Sequence, residues 1–381
     1  MIRIFCLSRI NLLSGRTHVY NLAKTCEALN AQEDFKVTFI TTDKPSDLDT
    51  FFHKLGIKKP FDVICLGLAK TFELGALILA NVHFAALLLS RRNQFDVVYF
   101  RDESLAPAAW WAKRILYKKV FFEIHSVLES TRRQLLNKWG AKTASGMIAI
   151  SGGLKRYYDK FNNNIIVSLC SAAEDSWFDY ARTKEEFRKE LQLPQEAYLL
   201  GYTGVVGANP NNDYYEIDDI VKSLKFLPEN IVLVIVGELN GNGEWLHKVA
   251  RAEGVENRVI MMPWQERNKI PKYLQAFDIN VIPKRKKDLI GDSPAKIFPA
   301  LASQQPIIGG RAESIEEVLT DGVDAIIVEQ NNPDGWIKAI LEIYKDNDLG
   351  KKLSDEAWLT KNKYTWPKRG DAIGEFIKRS I

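Results

Sequence analysis

Hydrophobic positions along the chain alternate between two periods. Residues 2–7 read as a strand, and after the loop S-R-I-N-L-L-S-G-R the residues Val19, Leu22, Ala23, Cys26 and Leu29 fall on one face of a helix. The same alternation predicts strands at 36–41, 61–66, 96–101, 119–124 and 146–150. Helices are predicted at 74–91, 104–116, about 128–138 and after Ser151. Strands alternating with helices imply a parallel sheet covered on both faces. Ligands of such sheets sit beyond the carboxyl ends of the strands, which points to Gly15, Arg101, His125 and Ser151.

An irregular segment at 168–178 interrupts the pattern, which then restarts. Strands are predicted at 198–204, 231–236, 259–262, 279–282, 306–309 and 325–328, with helices at 183–191, 213–227, 243–253, 268–276, 333–344 and 349–360. Residues 231–236 are all β-branched or Leu, as a strand buried on both faces requires. Two similar α/β halves follow, and Pro367 is expected to break the chain before a last short helix.

One stretch of the second half carries candidate chemistry. After the strand at 279–282 come the cations Lys284, Arg285, Lys286 and Lys287, then Ser293-Pro294, a helix-start signal in which Ser caps and Pro occupies the first turn. A helix N-terminus aimed into a cationic loop, with Lys296 one turn in, suits a phosphate or diphosphate. The competing reading is a solvated basic loop before an ordinary helix.

Composition narrows the classes. A chain of 381 residues is long for one domain and comfortable for two, and 46% hydrophobic with 26% charged residues is a globular composition. A formal charge of +4 lacks the broad cationic face of a dedicated nucleic-acid binder but permits a local anion site. Cys6, Cys26, Cys65 and Cys170 form no C-x-x-C pair, so a reduced compartment without structural zinc is expected. The N-terminus has no charged region followed by a long apolar core, so no signal peptide is expected. The apolar run 74–89 is too short for a comfortable membrane span and reads as a helix buried in the fold. The first loop lacks G-x-G-x-x-G, which argues against a nicotinamide or flavin dinucleotide site.

Several segments together carry a resemblance. I-A-I-S-G-G-L-K-R-Y-Y, L-G-Y-T-G-V-V-G, I-V-L-V-I-V-G-E-L-N and S-P-A-K-I-F-P-A-L-A-S-Q-Q-P-I-I-G-G-R, preceded by V-V-Y-F-R-D and V-F-F-E-I-H-S, resemble the family 4 glycosyltransferases of GT-B fold. The resemblance covers nearly the whole chain and keeps motif order. It implies two Rossmann-like parallel-sheet domains facing a central cleft: 1–168 on the acceptor side, with 367–381 packing back on it, and 169–366 holding the donor. It further implies transfer of a sugar, with retention and without a required metal or other cofactor, from a UDP- or GDP-linked donor to a glycan or lipid-linked acceptor. A cytoplasmic location is implied, at the inner membrane face where the acceptor is lipid-linked. Arg91, Arg92, Lys113, Arg114, Lys118 and Lys119 would then meet anionic headgroups unless they are simply a solvated face.

Carried over residue by residue, the resemblance makes Ser293, Pro294, Ala295 and Lys296, with Lys284, the diphosphate turn, and lets the backbone at Gly15 approach it. His125 would stand beside the donor sugar, Trp264 would be the base platform or a packing tryptophan, and Glu317 matches the position before the last sheet strand. Two departures stand out. The Glu-x7-Glu pair of the family is replaced by Gly291 and Pro299, leaving Asp292 as the nearest acid for the ribose, and the Arg and Lys expected on the diphosphate are replaced around Val206 and Asn211. A non-catalytic partner subunit of a glycan-assembly complex therefore remains the alternative, with a sugar-nucleotide epimerase a third reading that lacks its acids.

Overall fold

The computed structural model describes the chain except residues 13–15, 44–46, 69–73, 128–130, 173, 208–216, 239–242, 285–292 and 294. Two compact units are formed. Of the described residues, the first comprises those of 1–170 and 366–381, and the second those of 171–284 and 295–365.

The first unit holds a seven-stranded sheet of β1 (Ile2–Ser8), β2 (Phe35–Thr41), β3 (Asp62–Cys65), β4 (Val97–Phe100), β5 (Lys119–Ile124), β6 (Gly146–Ala149) and β7 (Ile165–Val167). All neighbours are parallel in the order β3-β2-β1-β4-β5-β6-β7, so the direction of winding reverses between β1 and β4. β4 is buried at every position and β5 at all but Lys119, as expected of strands covered on both faces. The C-terminal helix Trp366–Ser380 runs for 15 residues with Pro367 as its second residue. Proline there lacks only an N–H that has no intrahelical partner, so it starts this helix where the sequence pattern suggested a break before a short one. Gly370 and Gly374 lie one turn apart, and a Cβ on Gly370 would stand 2.8 Å from the Ala28 carbonyl oxygen, so the helix backbone lies close against helix Thr17–Asn30.

Helix Leu74–Ser90 departs from its expected burial. Only Ala80, Phe84 and Leu88 are buried, an i, i+4, i+8 stripe, while Leu74, Ile78, Leu79, Val82 and Leu89 are exposed. No described helix is long and apolar enough to cross a membrane.

The second unit holds β8 (Tyr198–Thr203), β9 (Ile231–Glu238), β10 (Val259–Pro263), β11 (Ile279–Ile282), β12 (Ile307–Gly310) and β13 (Ile326–Val328), all parallel in the order β10-β9-β8-β11-β12-β13. Its winding reverses between β8 and β11. Val206, Trp336 and Ile340 are among the fully buried side chains that share a core with Ile235 of β9. The helix expected to begin at Ser293 spans only Ile297–Leu301, with Lys296 as its N-cap. Pro299 is thus its third residue, where the missing N–H would have had no intrahelical partner, so the proline does not interrupt the helix.

Candidate functional site

In the second unit Gly204, Trp264 and Lys284 follow the carboxyl ends of β8, β10 and β11. β8 runs into Gly204, whose φ of +150° a side chain would strain, and a Cβ there would stand 2.4 Å from Lys296 Nζ. Lys296 Nζ donates to the Tyr202 hydroxyl at 2.7 Å and lies 4.2 Å from the centre of that ring. The tyrosine hydroxyl in turn donates to the Val205 carbonyl at 3.2 Å. One ammonium is thereby fixed beside the reversal point between β8 and β11, where a ligand of such a sheet is held. Lys284 follows β11 and is buried, its backbone so close to Gly310 that a Cβ on that glycine would approach it to 2.8 Å.

Ser293 and Ala295 are partly buried loop positions, and Ser293 caps no helix because the helix starts later. A five-residue helix offers little dipole, so an anion here would depend on Lys296 and neighbouring backbone N–H groups more than on the helix end. Trp264 follows β10 and is 50% exposed, so one part of the indole is covered and another is open to a ligand. Glu317 is the C-cap of helix Glu313–Glu316; its carbonyl accepts from the Tyr364 hydroxyl at 3.2 Å. Gly15, Asp292 and Pro294, with Arg285, Lys286, Lys287, Gly291 and Asn211, lie outside the described residues.

The first unit carries a buried polar network at the end of β5. Glu123 sits among the apolar residues Val120, Phe121, Phe122 and Ile124 of β5 and has no exposed surface. Its Oε2 accepts from the Tyr99 hydroxyl and from Arg369 Nη2 at 2.7 Å; its Oε1 accepts from His125 Nε2 at 2.5 Å and from Cys170 Sγ at 3.5 Å. Four donors occupy the roughly four lone-pair sites of an ionised carboxylate. Burial pushes Glu123 up, but Arg369 and His125 outweigh it and hold the group well below the usual carboxylate range. Burial, followed by the charge of Arg101, lowers His125 to about 4, so the imidazole is neutral at pH 7. Arg101 follows β4 and donates to the His18 carbonyl at 3.0 Å. Arg369 also donates to the carbonyls of Ser168 and Leu169, at 2.5 and 2.8 Å, and to Thr25 Oγ1 at 3.1 Å.

Glu123, His125 and Cys170 bring their ligand atoms within 4.8 Å of one another, a grouping that could in principle hold a metal. The arrangement does not fit one: a guanidinium already neutralises the carboxylate, every lone pair is engaged, and burial raises the thiol to about 11. Nor is it a nucleophilic triad, since the thiol and the carboxylate both face the same ring nitrogen, Nε2. Glu123, Arg369, Cys170 and Tyr202 escaped the sequence reading. A single Glu inside the apolar run V-F-F-E-I was the available signal, because a buried carboxylate demands a partner.

The fold that these two sheets define is GT-B. A solved Anabaena HepE in complex with UDP superposes with a TM-score of 0.78 at 15% identity, over 100% of each chain. Residues 183–358 match the family described as "Glycosyl transferases group 1". A D-inositol 3-phosphate glycosyltransferase of Xylanimonas cellulosilytica is 24% identical over 196 residues, covering 51% of this chain and 45% of that protein. An uncharacterized glycosyltransferase of Methanocaldococcus jannaschii is 24% identical over 249 residues, 63% of this chain and 60% of that one. The chain thus spans about half the length of the curated relatives it matches.

The exposure of Trp264 allows one clean test. A base platform predicts several-fold weaker nucleotide binding by a Trp264→Ala protein that stays folded, and a packing tryptophan predicts loss of stability. Unfolding together with unchanged nucleotide affinity would assign Trp264 to packing.

Proposed function

We propose that the chain is a retaining glycosyltransferase that moves a sugar from a nucleotide-diphosphate donor to a glycan or lipid-linked acceptor without a required metal. The observation that carries this reading is Lys296, fixed on Tyr202 at the end of β8, where its charge can meet the diphosphate that leaves. In this proposal Ser293, Ala295 and Lys284 complete the diphosphate turn, Trp264 underlies the base and Glu317 supports the turn, while Gly15 and Pro294, assigned to the same donor by the resemblance, lie outside the described residues. His125 stands beside the donor sugar. The UDP held by the Anabaena structure supports a uridine donor. Thermal shifts with a panel of UDP-, GDP- and ADP-sugars, followed by transfer to glycan acceptors, test the reading. A shift without transfer to any acceptor would favour the non-catalytic partner subunit, which the replacement of the family's acids by Gly291 and Pro299 also favours.

Recognition of the ribose should be weak. With Pro299 where the family has a carboxylate, ribose and 2′-deoxyribose donors should be used with kcat/KM values within about tenfold. Pro299 lies in the first turn of its helix, a position that glutamate tolerates, so Pro299→Glu should widen that gap. A native preference of a hundredfold for ribose would show that other groups hold the hydroxyls.

For a lipid-linked acceptor the first unit offers the uncharged, exposed face of helix Leu74–Ser90, with exposed Arg92 and Arg114 on neighbouring segments. Lys113, Lys118 and Lys119 are less available than their sequence suggests, because their ammonium groups donate to the carbonyls of Thr143, Phe95 and Ser380. The protein should float with vesicles containing anionic lipid, and Ile78→Asp with Val82→Asp should abolish flotation. Equal recovery of wild type and variant would end the docking assignment.

A further inference from the structure

The network around Glu123 determines more than the position of a histidine. Imidazole offers one donor and one acceptor when neutral, and which nitrogen carries the proton follows from the partner of the other. His125 Nε2 faces Glu123 Oε1 at 2.5 Å, and Glu123 is ionised because Arg369 stands 2.7 Å from its other oxygen. A carboxylate cannot donate, so Nε2 must. We propose that the Arg369–Glu123 pair, reaching the site through the C-terminal helix, holds His125 as the neutral Nε2–H tautomer and so presents Nδ1 as a hydrogen-bond acceptor for a hydroxyl of the ligand. The ring is then selective in sign: a sugar hydroxyl can donate to Nδ1, whereas a phosphate oxygen meets a lone pair. The ligand part of this inference rests on the proposed glycosyl transfer; the tautomer itself does not. Glu123 and Arg369 act through His125 and are positioning residues.

The surroundings dictate what a neutral substitute for Glu123 must do. Tyr99 and Arg369 both donate toward Oε2, and a guanidinium cannot accept, so in Glu123→Gln the amide oxygen must take that place. The amide NH2 is then turned toward His125 Nε2 and Cys170 Sγ, the partners of Oε1. Nε2 has to accept from it, which moves the ring proton to Nδ1 and turns that acceptor into a donor.

Nitrogen-15 NMR of histidine-labelled whole chain at pH 7 tests this directly, with His125→Asn to assign the signal. The wild type should show a neutral ring protonated at Nε2, and Glu123→Gln should exchange the two nitrogens. In the same variant kcat/KM for the sugar donor should fall roughly 10- to 100-fold, the scale of one mispaired buried hydrogen bond. Affinity for free UDP, which carries no donor sugar, should not change. If Glu123→Gln does not fold, Tyr99→Phe keeps the charge pair and should leave the Nε2–H signal where it is. A wild-type ring protonated at Nδ1 or at both nitrogens, an unchanged tautomer in folded Glu123→Gln, or a switched tautomer in Tyr99→Phe would overturn the assignment. Absence of sugar transfer alongside the expected tautomers would sink the enzymatic reading and leave the tautomer standing.

Discussion

Arg369→Ala should destabilise the first unit by about 3–5 kcal/mol, the cost of removing one partner from a buried ion pair. Arg369 is 5% exposed and Glu123 is fully buried, so water cannot take the place of the guanidinium. The truncation also strands the carbonyls of Ser168 and Leu169, which receive two of its N–H groups. The sign of the pH dependence follows from the same pair. In the wild type Glu123 lies well below its ordinary value, so its contribution is fully present above the unfolded carboxylate range and is lost progressively as pH falls from that range through the folded value. Without Arg369 the largest cation is gone while burial still pushes the carboxyl up. A group raised above its unfolded value contributes stability below the unfolded pKa and loses it as pH rises through the folded one. The deficit of Arg369→Ala should therefore shrink as pH falls toward the carboxylate range. Denaturant unfolding followed across pH measures this, and adding Glu123→Leu to Arg369→Met should recover stability relative to Arg369→Met alone. A deficit below 1 kcal/mol at pH 7 would show that the pair is not the buried centre of this unit.

How far the chain could be read in advance depended on the range of each signal. The period of apolar positions is local, and it placed β1, β4, β5, β8, β9 and β11 within a residue or two because these strands are apolar runs closed by turn residues. Ser293-Pro294 is also a local signal, yet the helix waits until Ile297, and nothing in four residues shows which of two turns will be used. Helix Leu74–Ser90 was misread for a different reason: apolar composition measures the tendency to leave water, not the partner that provides cover, and among the described residues only Ala80, Phe84 and Leu88 of this helix are fully buried. His125 was legible through its place at the end of a strand. Its partners were not, because Cys170 and Arg369 lie 45 and 246 residues from the network's histidine and glutamate and meet them only through tertiary structure.

Lys296→Ala should weaken nucleoside-diphosphate binding by roughly 1.5–3 kcal/mol, the scale of a charge-assisted hydrogen bond, or about 10- to 150-fold. The protein fold should tolerate the change, since Lys296 is partly exposed and the Tyr202 hydroxyl keeps its bond to the Val205 carbonyl. Binding and stability are therefore separable at this position, unlike at Arg369. The charge should matter more than the shape, because a diphosphate is attracted by charge, and the hydroxyl and ring face against Lys296 carry no full charge of their own. Lys296→Arg should keep part of the affinity, limited by the room beside Gly204, and Gly204→Ala should weaken binding by pushing the ammonium away. Raising salt should weaken the wild type and leave Lys296→Ala less affected, as expected if one anionic contact has gone. Calorimetry with UDP and GDP decides the matter: affinities of Lys296→Ala equal to wild type would remove the diphosphate from the end of β8 and with it the main support for a nucleotide-sugar donor in this sheet.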